Sequence, residues 1–164
     1  MTPRFRPGAR IALDWGEVRI GVAACDPAGT MAFPVATVAA GPAVYGTIRD
    51  LIREYEPLEL IVGLPLSLSG GEGPAAARVR TAAAELAGRL VADGNTLAVR
   101  LVDERLSTVT AARQLRTAGR TARKQRAIID SAAAVGILEH ALAVERAGGM
   151  PPGELVSPPD ASPL

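Results

Sequence analysis

Polar and apolar positions alternate in short runs near the N-terminus of this chain and follow longer helical stripes after it. Ile11 and Leu13 alternate with Ala12 and Asp14, and Ile20, Val22 and Ala23 repeat the strand signal on the return. Residues 10–15 and 18–25 thus predict two strands joined by a tight turn at Gly16-Glu17. Asp26-Pro-Ala-Gly29 marks a second turn. Thr30 to Val38 then predicts a third strand, with Pro34 tolerable near an edge or a bulge. Val44, Ile48, Leu51, Ile52 and Tyr55 recur at helical spacing and predict a helix ended by Pro57. Leu58 to Gly63 reads as a short buried strand. A helix over Pro74 to Ala92 opens with proline in its first turn, and Leu97 to Val102 is a fifth strand. A short helix is expected over Val109 to Ala118, with Ser107-Thr108 as its cap, and a long last helix over Lys124 to Arg146.

The order βββαβαβα, with the short helix before the last long one, predicts an α/β fold. An antiparallel meander joins parallel crossovers in a mixed five-stranded sheet flanked by helices. Residues 1–147 are expected to form one domain, with residues 1–8 as a loose basic leader. The Pro- and Gly-rich tail, 148–164, is expected to be disordered.

Composition refines this picture. Aromatic residues make up 3% of the 164 residues, so Ala, Val, Leu and Ile must build the core, with close helix–sheet packing. The net charge of +1 is uninformative about partners, but 17 of the 18 cationic residues are Arg, which suits bidentate phosphate contact. Cys25 is the single cysteine, which excludes an internal disulfide and a cysteine-cluster metal site; it is expected to be a buried thiol. No secretory h-region and no run of 18 apolar residues occurs, so a cytoplasmic location without membrane contact is expected.

Three acids stand out. Asp14 lies in an otherwise apolar strand, where a buried carboxylate must be paired, hydrogen-bonded or metal-bound. Asp103-Glu104 follows the fifth strand directly. Asp130 shares a helical face with Ala134, Ile137, Ala141 and Val144, which turns it toward the sheet, with Arg126 one turn back as a possible partner. Carboxylates converging on one place repel each other without a cation, and Mg²⁺ or Mn²⁺ is the natural counterion for such an oxygen cage. From spacing alone each acid could equally be structural: a turn acid, a helix-start acid or an ion-pair partner.

Two stretches suit a phosphate ligand. Ser69, Gly70, Gly71 and Gly73 lie in a loop before a helix and can offer backbone N–H groups to an anion, although the Lys-Ser/Thr ending of a P-loop is missing. Arg105, Arg113, Arg116, Arg120, Arg123, Lys124 and Arg126 form a cluster with no acid between Arg105 and Arg126, which can track a nucleic-acid backbone. No aromatic platform for base stacking accompanies it. His140 is expected at the surface, nearly opposite the Asp130 stripe, and Glu17 in an exposed turn. Gly16 and Gly21 are expected to keep the first turn tight and leave room beside Asp14.

Asp14-Trp-Gly-Glu-Val-Arg-Ile-Gly-Val-Ala23, Val62-Gly-Leu-Pro-Leu66 with Gly70-Gly-Glu-Gly-Pro74, Asp103-Glu-Arg-Leu-Ser-Thr108 and Lys124-Gln-Arg-Ala-Ile-Ile-Asp-Ser-Ala-Ala-Ala134 resemble the YqgF (RuvX) family of Holliday-junction resolvases, also called pre-16S rRNA nucleases. The resemblance covers residues 9–145. It implies an RNase H-like fold and a cytoplasmic nuclease that processes the 5′ end of the 16S rRNA precursor, with divalent metal held by Asp14, Glu104 and Asp130. It thereby selects Glu104 over Asp103. The chain departs from the family pattern at Glu17, Val18 and Ser67, which bears on substrate positioning. Branched-DNA resolution, a non-catalytic nucleic-acid-binding factor, and an ATPase of the sugar-kinase or actin kind are the competing expectations. The last needs two such domains. RNA versus DNA, cut position, metal number and oligomeric state stay open.

Overall fold

The computed structural model describes residues 5–105 and 122–159, without the side chains of residues 122–130. Its strands are β1 (Arg10–Trp15), β2 (Arg19–Cys25), β3 (Ala32–Ala39), β4 (Glu59–Leu64), β5 (Ala98–Asp103) and β6 (Glu154–Leu155). They form one sheet in the order β3-β2-β1-β4-β5-β6. The described helices are α1 (Val44–Tyr55), α2 (Pro74–Ala92) and α3 (Ala122–Gly148). The first three strands are an antiparallel meander, and β1, β4 and β5 run parallel, as strand–helix–strand connections of this length require. Pro34 lies on the edge strand β3, beside an irregularity where the pairing passes from Val22–Ala36 to Ala23–Pro34, so its missing N–H leaves no interior gap.

Strand periodicity sorts the core into two layers. Ile11, Leu13, Ile20, Val22, Leu60, Val62, Val99 and Leu101 pack on the side that also buries Val44 and Ile48 of α1 and Ala83 and Leu86 of α2. The alternate positions Ala12, Ala23, Cys25, Ile61 and Val102 meet Ala134, Ile137, Leu138 and Ala141 of α3. Alanine on both sides of this second layer gives the close approach that the composition implies. Cys25 is buried, and burial pushes its thiol above the ordinary value.

Four expectations are corrected. The sheet has six strands, because residues 154–155 add an antiparallel edge to β5, with Val156 N–H donating to Val99 O at 2.8 Å. A two-residue strand held by main-chain bonds leaves no alternation to read, so the segment had been expected to be disordered. It is also tied by side chains: Arg80 of α2 reaches Glu154 at 2.9 Å, and Pro152 is buried. Residues 5–8 are not loose, since the Phe5 ring takes the Arg10 and Arg146 guanidinium groups and Arg6 enters a buried ion network. On α3 the buried stripe drifts from Val144, which is exposed, to Glu145, which is buried. Helix repeats of 3.6 residues make such a stripe precess over several turns. The short helix expected over Val109 to Ala118 lies outside the described residues.

Candidate active site

Asp14 owes its position to the pleat. Residues two apart share a face, and Ala12 packs toward α3, so Asp14 faces α3 as well. Asp14 pairs with Gly21 of β2, and Gly21 with Thr37 of β3. On the other flank Leu13 pairs with Val62 of β4, which puts Asp14 beside Gly63. A carboxylate therefore stands between two residues without side chains. Thr37, Gly21, Asp14 and Gly63 form one row across the sheet. Gly16 keeps the β1–β2 turn tight: a Cβ there would lie 2.5 Å from Arg19 O.

Glu104 reaches this row from the end of β5. A Cβ on Gly63 would meet Glu104 Oε2 at 2.6 Å and Ile137 Cδ1 at 2.5 Å, so these two side-chain ends take up the space over the glycine. Burial first, then the negative charges of Asp14 and Asp103, push the Glu104 carboxyl up to about 7. Asp14 and Glu104 are thus electrostatic neighbours, each half-buried. Asp103 behaves differently. It receives Arg105 Nη2 at 2.5 Å, and hydrogen bonding from Arg105 holds its carboxyl below the usual range.

Asp130 sits on α3 one turn before the buried Ala134; its side chain lies outside the described residues. The next residue, Ser131, is bonded through Oγ to Thr37 Oγ1 at 2.8 Å. That contact pins this part of α3 over the strand row that contains Asp14. Among the described residues no three His, Cys, Asp or Glu side chains converge on one point, and Asp14 with Glu104 is the pair the description contains.

The phosphate candidates divide. Arg116 and Arg120, with Arg113, lie outside the described residues, and Arg123, Lys124 and Arg126 are on the first turns of α3 with their side chains outside the description. Arg105 is placed beside the site, but its guanidinium bonds Asp103 and the carbonyls of Ser67 and Leu68. The loop 65–73 leaves the same end of the sheet as Glu104. Within it Gly70 N–H donates to Ser67 O at 2.8 Å and Gly71 N–H to Ser67 Oγ at 3.0 Å, so these two amides turn into the loop. Ser69 and Gly73 are exposed, and Gly73 starts α2 without a side-chain cap. Glu17 is exposed and pairs with Arg78 at 2.8 Å. His140 is half-buried on α3 and not on an exposed surface.

Sequence reasoning assigned no role to Gly63, although a glycine inside an apolar strand is itself a signal of close approach. Arg19 was also passed over. It shares the α3-facing side of β2 with Gly21, Ala23 and Cys25, two positions from Asp14's partner.

Comparison with known proteins identifies the family and the fold. The family model described as "RuvX: Holliday junction resolvase" matches residues 8–144. A protein of Streptomyces coelicolor named "Putative pre-16S rRNA nuclease" is 54% identical over 154 residues, covering 93% of this chain and 90% of the relative. A protein of the same name from Nocardioides sp. is 53% identical over 157 residues, covering 93% of this chain and 98% of the relative. Among solved structures, Thermus thermophilus RuvC in complex with a Holliday junction substrate matches with a TM-score of 0.56 at 16% identity, over 88% of this chain and 99% of that one. The RNase H-like architecture is shared with it.

Proposed function

This chain belongs to the RuvX family, and we propose that it is a metal-dependent endonuclease that hydrolyses phosphodiester bonds in structured nucleic acid, its substrate being the 5′ end of the 16S rRNA precursor. One observation carries the reading: Asp14, set between Gly21 and Gly63 in the strand register, and Glu104, whose Oε2 lies over Gly63, are crowded at one end of the sheet. Crowded carboxylates suit a hard divalent cation, which would lower the cost of ionising both. The donors fit Mg²⁺ or Mn²⁺, with Asp14, Glu104 and Asp130 as the residues that would hold it. Such an ion supplies Lewis-acid charge for phosphodiester hydrolysis.

The chain's own groups do the rest. Asp14 and Glu104 would hold the ion from fixed positions on β1 and after β5. Arg116, Arg120, Arg123, Lys124 and Arg126 bind the flanking phosphates. Ser69 and Gly73, with Gly70 and Gly71 shaping the loop, border the same site. The names of the relatives favour rRNA precursor as substrate and a cytoplasmic, ribosome-directed role. The family description and the junction-bound fold neighbour favour the second reading, a Holliday-junction resolvase. No described helix is long and apolar enough to cross a membrane.

The test incubates the protein and its Asp14→Asn variant with a precursor-rRNA fragment and a four-way DNA junction, with and without Mg²⁺. The expected result is Mg²⁺-dependent cleavage of the RNA by the unaltered protein alone. Cleavage of the junction in its place selects the second reading. Salt-dependent binding without cleavage of either would establish a binding factor instead.

A further inference from the structure

Glu104 stands between two residues that bond each other around it. The Arg105 backbone N–H donates to Asp103 Oδ1 at 3.0 Å, which closes a side-chain turn across Glu104. The Arg105 guanidinium returns to the same carboxylate, with Nε at 2.9 Å and Nη2 at 2.5 Å from Oδ2. Its third nitrogen, Nη1, donates to the carbonyls of Ser67 and Leu68, each at 3.4 Å. Glu104 N–H donates to Leu64 O at 3.4 Å, just before that loop begins. One side chain thus ties the turn that carries Glu104 to the β4–α2 loop.

The loop itself is closed. Ser67 N–H donates to Gly71 O at 2.9 Å, and Gly70 and Gly71 both donate back to Ser67. Leu68 at its tip is 95% exposed, so no core contact holds it in place. Arg105 is the described attachment of this tip to the body of the site. An arginine that grips phosphate offers its two-pronged edge to the ligand. Here Asp103 fills that edge.

We propose that Asp103 and Arg105 form a positioning fork that sets the direction of the Glu104 carboxylate and locks it to the β4–α2 loop, so that Arg105 serves the site through geometry and not as a phosphate ligand. The activity arm of its test rests on the nuclease reading above; two further arms do not. All use the full chain with Arg105→Gln, Arg105→Lys, Asp103→Asn and the double variant Asp103→Asn/Arg105→Gln.

Amide hydrogen exchange comes first. Arg105→Gln and Asp103→Asn should speed exchange at Glu104, Gly70 and Gly71, while amides of β1 and β4 keep their protection. Unchanged exchange at these three positions overturns the proposal. The second arm measures binding of precursor RNA without Mg²⁺ across salt concentrations. The slope should be the same for Arg105→Gln as for the unaltered protein. A slope smaller by about 0.7–0.9, the signature of one lost phosphate contact, overturns the proposal. In the third arm kcat should fall about 10–100-fold, the usual cost of losing a supporting residue, with KM little changed. Arg105→Lys keeps the charge without the fork and should match Arg105→Gln, and the double variant should be no worse than the worse single one. Near-normal kcat in Arg105→Lys, or a change confined to KM, counts against the fork. If the unaltered protein cleaves nothing, the nuclease reading fails, and the exchange and salt arms still decide the fork.

Discussion

The layer between the sheet and α3 carries charge at both of its ends, and the two ends treat it oppositely. Three strands make the contrast direct: β1 places Arg10 at one end and Asp14 at the other, β4 places Glu59 and Gly63, and β5 leads from Arg100 to Glu104. At the first end the buried carboxylates Glu59 and Glu145 both meet guanidinium. Glu59 takes Arg6 at 2.7 Å and Arg100 at 2.6 Å; Glu145 of α3 takes Arg6 and Arg10, each at 2.5 Å. Glu59 and Glu145 are 0% and 1% exposed, and no buried side-chain polar atom among the described residues lacks a partner. At the other end Asp14 and Glu104 face each other, and the Glu104 carboxyl is pushed up accordingly. Opposite charges brought together hold the fold at the first end, whereas carboxylates crowded at the other raise the cost of ionising both.

This contrast can be broken most sharply by paired substitutions. Asp14→Asn should reduce Mg²⁺-dependent cleavage to the level without enzyme and leave the melting temperature unchanged or higher, because it removes repulsion. Glu145→Ala should do the reverse, lowering stability by about 3–5 kcal/mol in denaturant titration, since it strands buried Arg10. A melting temperature that collapses in Asp14→Asn would place both ends in the same structural class.

Gly63→Ala tests this close approach. Its Cβ would displace the ends of the Glu104 and Ile137 side chains, so it should cut cleavage strongly and destabilise the fold by about 1 kcal/mol through overpacking. Gly46, where a Cβ meets nothing within 4 Å, is the matched control for the added methyl group.

The pH dependence is a smaller effect. Glu104 binds its proton more tightly folded than unfolded, so its contribution is full below its ordinary value of 4.5 and is lost as pH rises through about 7. The metal-free protein should therefore lose stability across that window, by about 1–2 kcal/mol once partial solvent access is allowed for. Mg²⁺ should restore stability at pH 8, and Glu104→Gln should flatten the profile. Stability that rises over this window would contradict the crowding. Smallest is Glu17→Ala, which removes an exposed pair with Arg78 and should change stability by less than about 0.5 kcal/mol in the same titration.

Much of this was legible before any coordinates. Alternation at Ile11 to Asp14 and at Ile20 to Cys25 marks the strand pair, and the spacing of Val44 to Tyr55 marks α1, because burial on one face imposes a period. Arg6 and Glu145 were not legible as partners. They are 139 residues apart, and an isolated charge in sequence looks the same whether it is solvated or paired. Glu154–Leu155 escaped because main-chain pairing leaves no side-chain pattern.

Local periodicity marks β1 to β5, the described helices and their order, and the cost of burying a carboxylate marks Asp14 as anomalous in an apolar strand, all before any tertiary contact is known. Family resemblance named Glu104 and Asp130. That Glu104 lies over Gly63 beside Asp14, while Asp103 turns to Arg105, is visible only once the chain is folded. Those facts depend on strand register and on which face each side chain takes, and register is settled by pairing between distant strands.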